Sequence, residues 1–316
     1  MHKSSKLFQL KDILRALDDF NIRYEIVSDQ FDEIIEYSFK SLKKIERRGI
    51  YYIARGVQCE IQDSILITND ALSANTNTVI LVEEDPQLVF YKLMDLFFSN
   101  DQKTGIHPTA IISEKAVVHS SAYIGPYCVI GECVIEEGVE LHSHVVVMSG
   151  TRLSKNVIIE PHSTIGATGV AWIWDRKTGR RVRQPQIGST YIGENTFLGS
   201  DVTVVRGSVN ETTSVGKNCV IAHGSKIGHG SVIGDECHFA NNISIAGNVI
   251  LGKKCFLGAG SIVRPNTKLA SGITVAAGAV VVKNYVAPDL LLIGMPAKPI
   301  DNGNKTMNGV PRPLKD

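Results

Sequence analysis

The chain has 316 residues, 43% of them hydrophobic, and 33 Lys+Arg balance 32 Asp+Glu for a formal net charge of +1. That length accommodates two domains and a core that needs no covalent staples. The even charge gives no case for a nucleic-acid or bulk membrane partner.

Met1 to Asp19 is polar and charged. No apolar run approaches the roughly 20 residues that span a bilayer, so no signal peptide or membrane span is expected and a cytoplasmic location is. Within residues 1–104, a small α/β domain is expected. Leu7, Leu10, Ile13, Leu14 and Leu17 recur at helical spacing, and Ile50 to Ala54, Ile65 to Thr68 and Val79 to Val82 are short apolar runs bounded by polar turns. Asp85 and Pro86 supply the N-cap and first turn of a second helix carrying Leu88, Val89, Leu93, Met94, Leu96 and Phe97. Residues 31 to 48 show no pattern that assigns them.

Beyond a polar linker, Ser99 to Thr104, an aliphatic or aromatic residue falls on every sixth position. The series runs Ile106, Ile112, Val118, Ile124 and Ile130, shortens once to Ile135, and continues through Leu141, Val147, Leu153, Ile159 and Ile165. From Val215 to Val281 it never misses, and Phe239, Ile245 and Val263 stand in that stretch. A period of six fits neither the ~3.6 of a helix nor the ~2 of a strand; it fits a parallel β-helix in which three units close one coil of 18 residues. Gly216, Gly228, Gly234, Gly252 and Gly258 follow the apolar residue, where a Cβ would crowd a corner. Small residues such as Ser225, Ser231, Cys237 and Cys255 stand two places before it. About ten coils are expected across 105–286, followed by a closing segment and polar tail over 287–316. The flat faces of such a prism commonly pack around a threefold axis, which predicts a homotrimer.

Two irregularities interrupt the period. Residues 167–186 hold both tryptophans, Trp172 and Trp174, then a polar turn and Arg180, Arg181 and Arg183, which reads as a protruding hairpin. It is either an arm on a neighbouring subunit or an aromatic, cationic lid over a phosphorylated ligand. An eleven-residue step from Val204 to Val215 is the second. Of six cysteines, Cys128, Cys133, Cys219, Cys237 and Cys255 take the small-residue position, without C-x-x-C spacing, and read as reduced core residues.

A β-helix core holds no chemistry, so function belongs to outward side chains. His223, His229 and His238 cluster in the most regular coils, and a histidine suits the general base that an amine needs to attack a thioester. One coil beyond His229 stands Gly247, whose bare backbone admits an acyl donor and whose N–H suits the oxyanion. One coil beyond His223 stands Asn241, so His229 is preferred and His223 is the alternative base. His223 and His229 are six residues apart, on neighbouring faces, and no metal site is expected.

These repeats resemble the hexapeptide-repeat acyltransferases, with a left-handed parallel β-helix. Ile227 to Val263, I-G-H-G-S-V-I-G-D-E-C-H-F-A…I-A-G-N-V-I-L-G…F-L-G-A-G, is similar to the nucleotide-sugar N-acetyltransferases of bacillosamine and sialic-acid pathways. The resemblance implies His229 as base, Gly247 as the amide at the thioester, and His238 with Gly258 at the acyl donor. Ala276 to Ile300 is similar to the closing segment of coenzyme A users, implying Lys283 and Lys298 as phosphate contacts. Val79 to Phe98, Gly105 to Ser113, the Trp-rich interruption and Val205-Arg206-Gly207 resemble instead UDP-3-O-acylglucosamine N-acyltransferase. That implies Arg206, Trp172 and Trp174 at the sugar nucleotide and Tyr51 and Tyr52 at its base.

The chain departs from the lipid A pattern at Val205, Ala222 and Asn266, where aspartate, aspartate and histidine are implied, and from the acetyltransferases at Gly230, where glutamate is common. Together these imply transfer of an acyl group from acyl-CoA, a co-substrate rather than a bound cofactor, to the amine of a nucleotide-linked amino sugar for surface polysaccharide. The alternative is a lipid A type enzyme fed by acyl carrier protein; a metal-dependent or non-catalytic β-helix protein is a third.

Overall fold

The computed structural model describes residues 6–27, 34–54, 60–70, 72, 75–98 and 103–300. The chain divides into two compact units, Met1–Asp101 and Gln102–Asp316.

The first unit runs β1 (Phe8–Gln9), α1 (Leu10–Asp19), β2 (Tyr24–Val27), β3 (Glu36–Phe39), β4 (Gly49–Ile53), β5 (Ile65–Thr68), β6 (Thr78–Val82) and α2 (Pro86–Phe98). Its sheet has the order β1-β3-β4-β5-β6-β2, parallel from β3 to β6 with antiparallel edges. Side chains alternate across the sheet. Ile50, Ile65, Ile67 and Ile80 pack with Ile13 and Leu17 of α1 and Val89 and Leu93 of α2, while Tyr51, Ile53, Leu66 and Val79 build a second core. α2 starts where its sequence dictates, with the Asp85 carboxylate accepting the N–H groups of Gln87 (2.8 Å) and Leu88 (3.2 Å). The unassigned stretch contains β3; its residues 31–33 lie outside the described residues, as do 99–102 of the linker and the tail Asp301 to Asp316.

The second unit is a parallel β-helix with three faces. The first face has eleven strands from Gly105–Ile106 to Lys298–Ile300, the second nine from Ile111–Ile112 to Val280–Val281, and the third eight from Val117–Val118 to Lys268–Leu269. Ile227 pairs with Ile245, Ile245 with Val263 and Val263 with Val281, one coil apart each time. From Ile124 onward the sixth-position residues are buried in one continuous core, with Ile112 and Val118 partly buried against it and Ile106 exposed at the open end. The position two places earlier also turns inward; it holds Val202, Ile243, Val249 and Ile273 as well as small residues whose polar atoms bond to the next coil, Ser231 Oγ donating to Ala246 O (2.9 Å) and Cys237 Sγ to Gly252 O (3.3 Å). Burial pushes the Cys133 thiol up to about 11, so it stays protonated. The five cysteines of the repeats are free and buried; Cys59 lies outside the described residues.

At the end of the helix, Leu291–Ile293 and Lys298–Ile300 pair antiparallel and extend the first face. Among the described residues, no helix is long and apolar enough to cross a membrane.

Phe239 is the largest side chain of this interior ladder and fully buried. Phe239→Ala is expected to lower unfolding stability by about 3–5 kcal/mol through the cavity it leaves, read as a fall in the chemical-denaturation midpoint.

Candidate active site

His229 and Gly247 meet on one corner of the helix. His229 follows the second-face strand Lys226–Ile227 and precedes the third-face strand Val232–Ile233; Gly247 holds the same place one coil on. A Cβ built on Gly247 would stand 2.5 Å from His229 Nε2 and 2.9 Å from its Cδ2 and Cε1. The imidazole therefore lies against the bare glycine backbone, and that glycine has no left-handed φ to excuse it. The three nearest atoms that a side chain there would meet all belong to the ring. The Gly247 N–H has no acceptor among the described residues, whereas the neighbouring Asn248 N–H is taken by His229 O (2.7 Å). His229 Nδ1 is buried and likewise without a partner among the described residues. The corner thus presents a base beside an unused N–H donor.

Further along the same corner come Pro265 and Lys283, each one coil beyond the last. Arg264, Pro265, Asn266, Thr267, Val282, Lys283 and Asn284 line an open groove of about 320 Å³. With coils spaced about 4.8 Å apart, its cations lie roughly 10–14 Å along the corner from His229. Arg264 was not singled out by the sequence, although it stands two whole coils beyond Gly228, next to the base.

The other sequence candidates distribute unevenly. His223 occupies the corner between the first and second faces, and its Nδ1 accepts the Ser200 N–H (2.8 Å), which ties it to the preceding coil. His238 lies on the first face, half-buried, edge-on to Phe256 (5.2 Å), and burial holds its imidazole below the usual range. Within one chain it does not share the His229 corner. Gly258 is also on the first-to-second corner, where a Cβ would stand 2.5 Å from Ala277 N; close stacking of backbone accounts for it. Lys298 is exposed on the closing strand.

One expectation about sugar-nucleotide contacts is corrected by packing. Tyr51 is 0% exposed in the second core of the first unit, and its hydroxyl donates to Glu46 O (2.9 Å) and accepts Glu46 N–H (2.8 Å), so it offers no face to a base. Tyr52 is half-buried beside Phe90 (5.2 Å) and Tyr91 (6.5 Å), and Tyr91 is exposed. Arg206 donates through Nε to Gly166 O (3.0 Å) and through a terminal nitrogen to Ser149 O (2.6 Å), which makes it a clamp on backbone across the hairpin insertion.

The interruption is a hairpin of Trp172–Asp175 and Arg180–Arg183, paired Trp172 to Arg183 and Trp174 to Arg181. Alternation therefore gathers two tryptophans and two arginines on one side and Ile173 and Val182 on the other. Trp172 and Trp174 pack edge-on at 5.4 Å, Arg181 lies 5.8 Å over Trp172, and the rings remain 44% and 60% exposed. Asp175 holds the turn through Lys177 N–H (2.9 Å) and Thr178 Oγ1 (2.7 Å), and these bonds lower its carboxyl pKa. Among the described residues, no three His, Cys, Asp or Glu side chains are grouped to hold a metal ion.

Gly247→Ala is expected to displace the His229 ring and cut turnover by about 10²-fold or more, the scale of losing a positioned base. The melting midpoint should stay near wild type, because the clash is with a side-chain edge.

The family model described as the hexapeptide repeat of succinyl-transferase matches residues 190–229, 212–246 and 248–283. UDP-3-O-acylglucosamine N-acyltransferase of Coxiella burnetii (strain Dugway 5J108-111) is 30% identical over 194 residues, 54% of this chain and 56% of that one. Acyl-[acyl-carrier-protein]--UDP-N-acetylglucosamine O-acyltransferase of Rickettsia canadensis (strain McKiel) is 37% identical over 136 residues, 40% of this chain and 46% of that one. The chain spans about half the length of these curated relatives. The solved structure of LpxA from Acinetobacter baumannii is similar with TM-score 0.56 at 30% identity, covering 62% of this chain and 73% of that one. On its six-residue period, its three stacked faces and these likenesses, the chain is a hexapeptide-repeat, left-handed β-helix protein similar to the acyltransferases of that class.

Proposed function

We propose that the protein transfers an acyl group from the thioester of an acyl carrier protein to the amine of a UDP-linked amino sugar, in the manner of lipid A synthesis. The observation that carries the reading is the His229 ring against Gly247, with an unused N–H beside it. The amine nitrogen attacks the thioester carbonyl carbon while His229 Nε2 takes its proton. The Gly247 N–H donates to the oxygen as charge develops there. The carbon–sulfur bond then breaks, and the proton passes from the imidazole to the departing thiolate. Products are an amide and a free thiol.

The donor assignment revises the acyl-CoA expectation. The relatives are named for UDP sugars, and one for acyl carrier protein as donor. The Arg264–Lys283 groove suits the phosphate that joins either carrier to its pantetheine arm. Acyl-CoA stays as the second reading because Lys283 and Lys298 sit in a closing segment of coenzyme A type. A threefold assembly is part of the proposal, since His238 lies on a different face from His229 and reaches the site only from another copy.

Thiol release is the test. UDP-linked amino sugars are offered acyl-carrier-protein and coenzyme A thioesters bearing acetyl, longer acyl or 3-hydroxyacyl groups. Turnover with an acyl-carrier-protein donor is expected to exceed that with any coenzyme A thioester; faster release from coenzyme A would reverse the donor assignment. No release from either would overturn the reading.

A further inference from the structure

The eleven-residue step between Val204 and Val215 has no part in the reaction as described, yet it delivers a carboxylate to the reactive corner. Its loop is clamped to the base of the hairpin: Ile187 N–H donates to Ser208 O (2.8 Å) and Ser189 N–H to Glu211 O (3.0 Å). A Cβ at Gly188 would stand 2.4 Å from Glu211 O and one at Gly207 1.9 Å from it, so both glycines exist to let this backbone pass. The Glu211 side chain is fixed in turn, Oε2 accepting the Ser208 N–H (3.1 Å).

That oxygen lies 3.2 Å from where a Cβ on Gly230, the residue after His229, would stand. Glu211 is exposed, and no Lys, Arg or His nitrogen among the described residues lies within ion-pairing distance of it. It therefore does not orient the His229 ring directly. A carboxylate held by the Ser208 N–H beside the residue that follows the base, facing solvent and lacking a cation, is complementary to a cationic or N–H-rich ligand group.

We infer that Glu211 is the residue that selects an amine over a hydroxyl acceptor, binding the incoming amino group beside His229. This rests on the proposed N-acyl transfer. An amine arrives as an ammonium with three N–H donors. One proton is lost to solvent to free the lone pair; of the two N–H groups left, one stays hydrogen-bonded to Glu211 and the other gives its proton to His229 as the carbon–nitrogen bond forms. A hydroxyl brings no charge and one donor, which the base itself requires. The chain's relatives include both an N- and an O-acyltransferase, so this choice is one the scaffold must make locally.

The test compares wild type, Glu211→Gln and Glu211→Asp on a UDP-linked amino sugar and on the matched sugar with hydroxyl in place of amine. Glu211→Gln is expected to raise the acceptor KM about tenfold, the effect of a charged hydrogen bond discounted for exposure. Donor KM and kcat should change little, amine-over-hydroxyl preference should fall by the same factor, and Glu211→Asp should recover part of it. An unchanged acceptor KM, or a loss confined to kcat with a lowered melting midpoint, would overturn the assignment and leave Glu211 as a loop fastener. If wild type acylates no amino sugar, the function reading fails instead. Equilibrium dialysis of the UDP-linked amino sugar then decides Glu211 separately: weaker binding to Glu211→Gln supports the assignment, and equal binding overturns it.

Discussion

One backbone constraint governs the second unit: each coil donates its N–H groups to the next, and the bond closes only if the coils stack in register. His238 N–H to Cys255 O (2.9 Å) and Lys226 N–H to Ile243 O (2.8 Å) are two rungs of that ladder. The interior has room for one side chain per strand, so the aliphatic period and the hydrogen-bond register are one requirement seen twice. Because every corner stacks on the corner below, residues a coil apart touch whatever their chemistry. His229 against Gly247 is such a contact, and so is the passage from Gly247 past Pro265 to Lys283.

A lattice this regular cannot make a site by bending, so it makes one by interruption. The hairpin enters after the strand Thr164–Ala167, and the Ser208–Glu211 loop enters after Thr203–Val205, the next strand on the same face. Arg206, which follows the hairpin, donates to backbone that precedes it, and the loop fastens the hairpin base through Ser208 and Glu211. Both insertions thus sit on the coils just before the one carrying His229. Cation-lined groove on one side and carboxylate-bearing loop on the other leave the base between a place for a phosphate and a place for an amine.

Much of this was legible in the sequence, because a six-residue period constrains which positions face inward and an eighteen-residue count constrains which corners touch. The His229–Gly247 pair followed from that count alone, and the Trp-x-Trp and Arg-x-Arg alternation foretold the hairpin. What failed was a reading of residue type without packing. Tyr51 looked like a base-stacking ring, but alternation along β4 turns it into the second core, and its hydroxyl is satisfied by Glu46. Two of the Arg206 donors go to the Gly166 and Ser149 carbonyls, a use of the guanidinium that residue type alone does not show. Glu211 was overlooked because a loop breaks the register by which neighbours are counted; the signal available was the length of the step, without its direction. In the first unit, β1 and β2 are edge strands and β3 is short and polar at its start, so none carries a clean apolar run.

The proposed chemistry depends on the imidazole against Gly247. The most direct measurement is the single-turnover rate of thiol release from the acyl donor in His229→Asn, beside His223→Asn and wild type. The expected result is a loss of about 10²- to 10⁴-fold in His229→Asn, with His223→Asn near wild type. A His229→Asn rate close to wild type, or a loss carried by His223→Asn instead, would contradict the assignment of the base and with it the corner on which the mechanism is built.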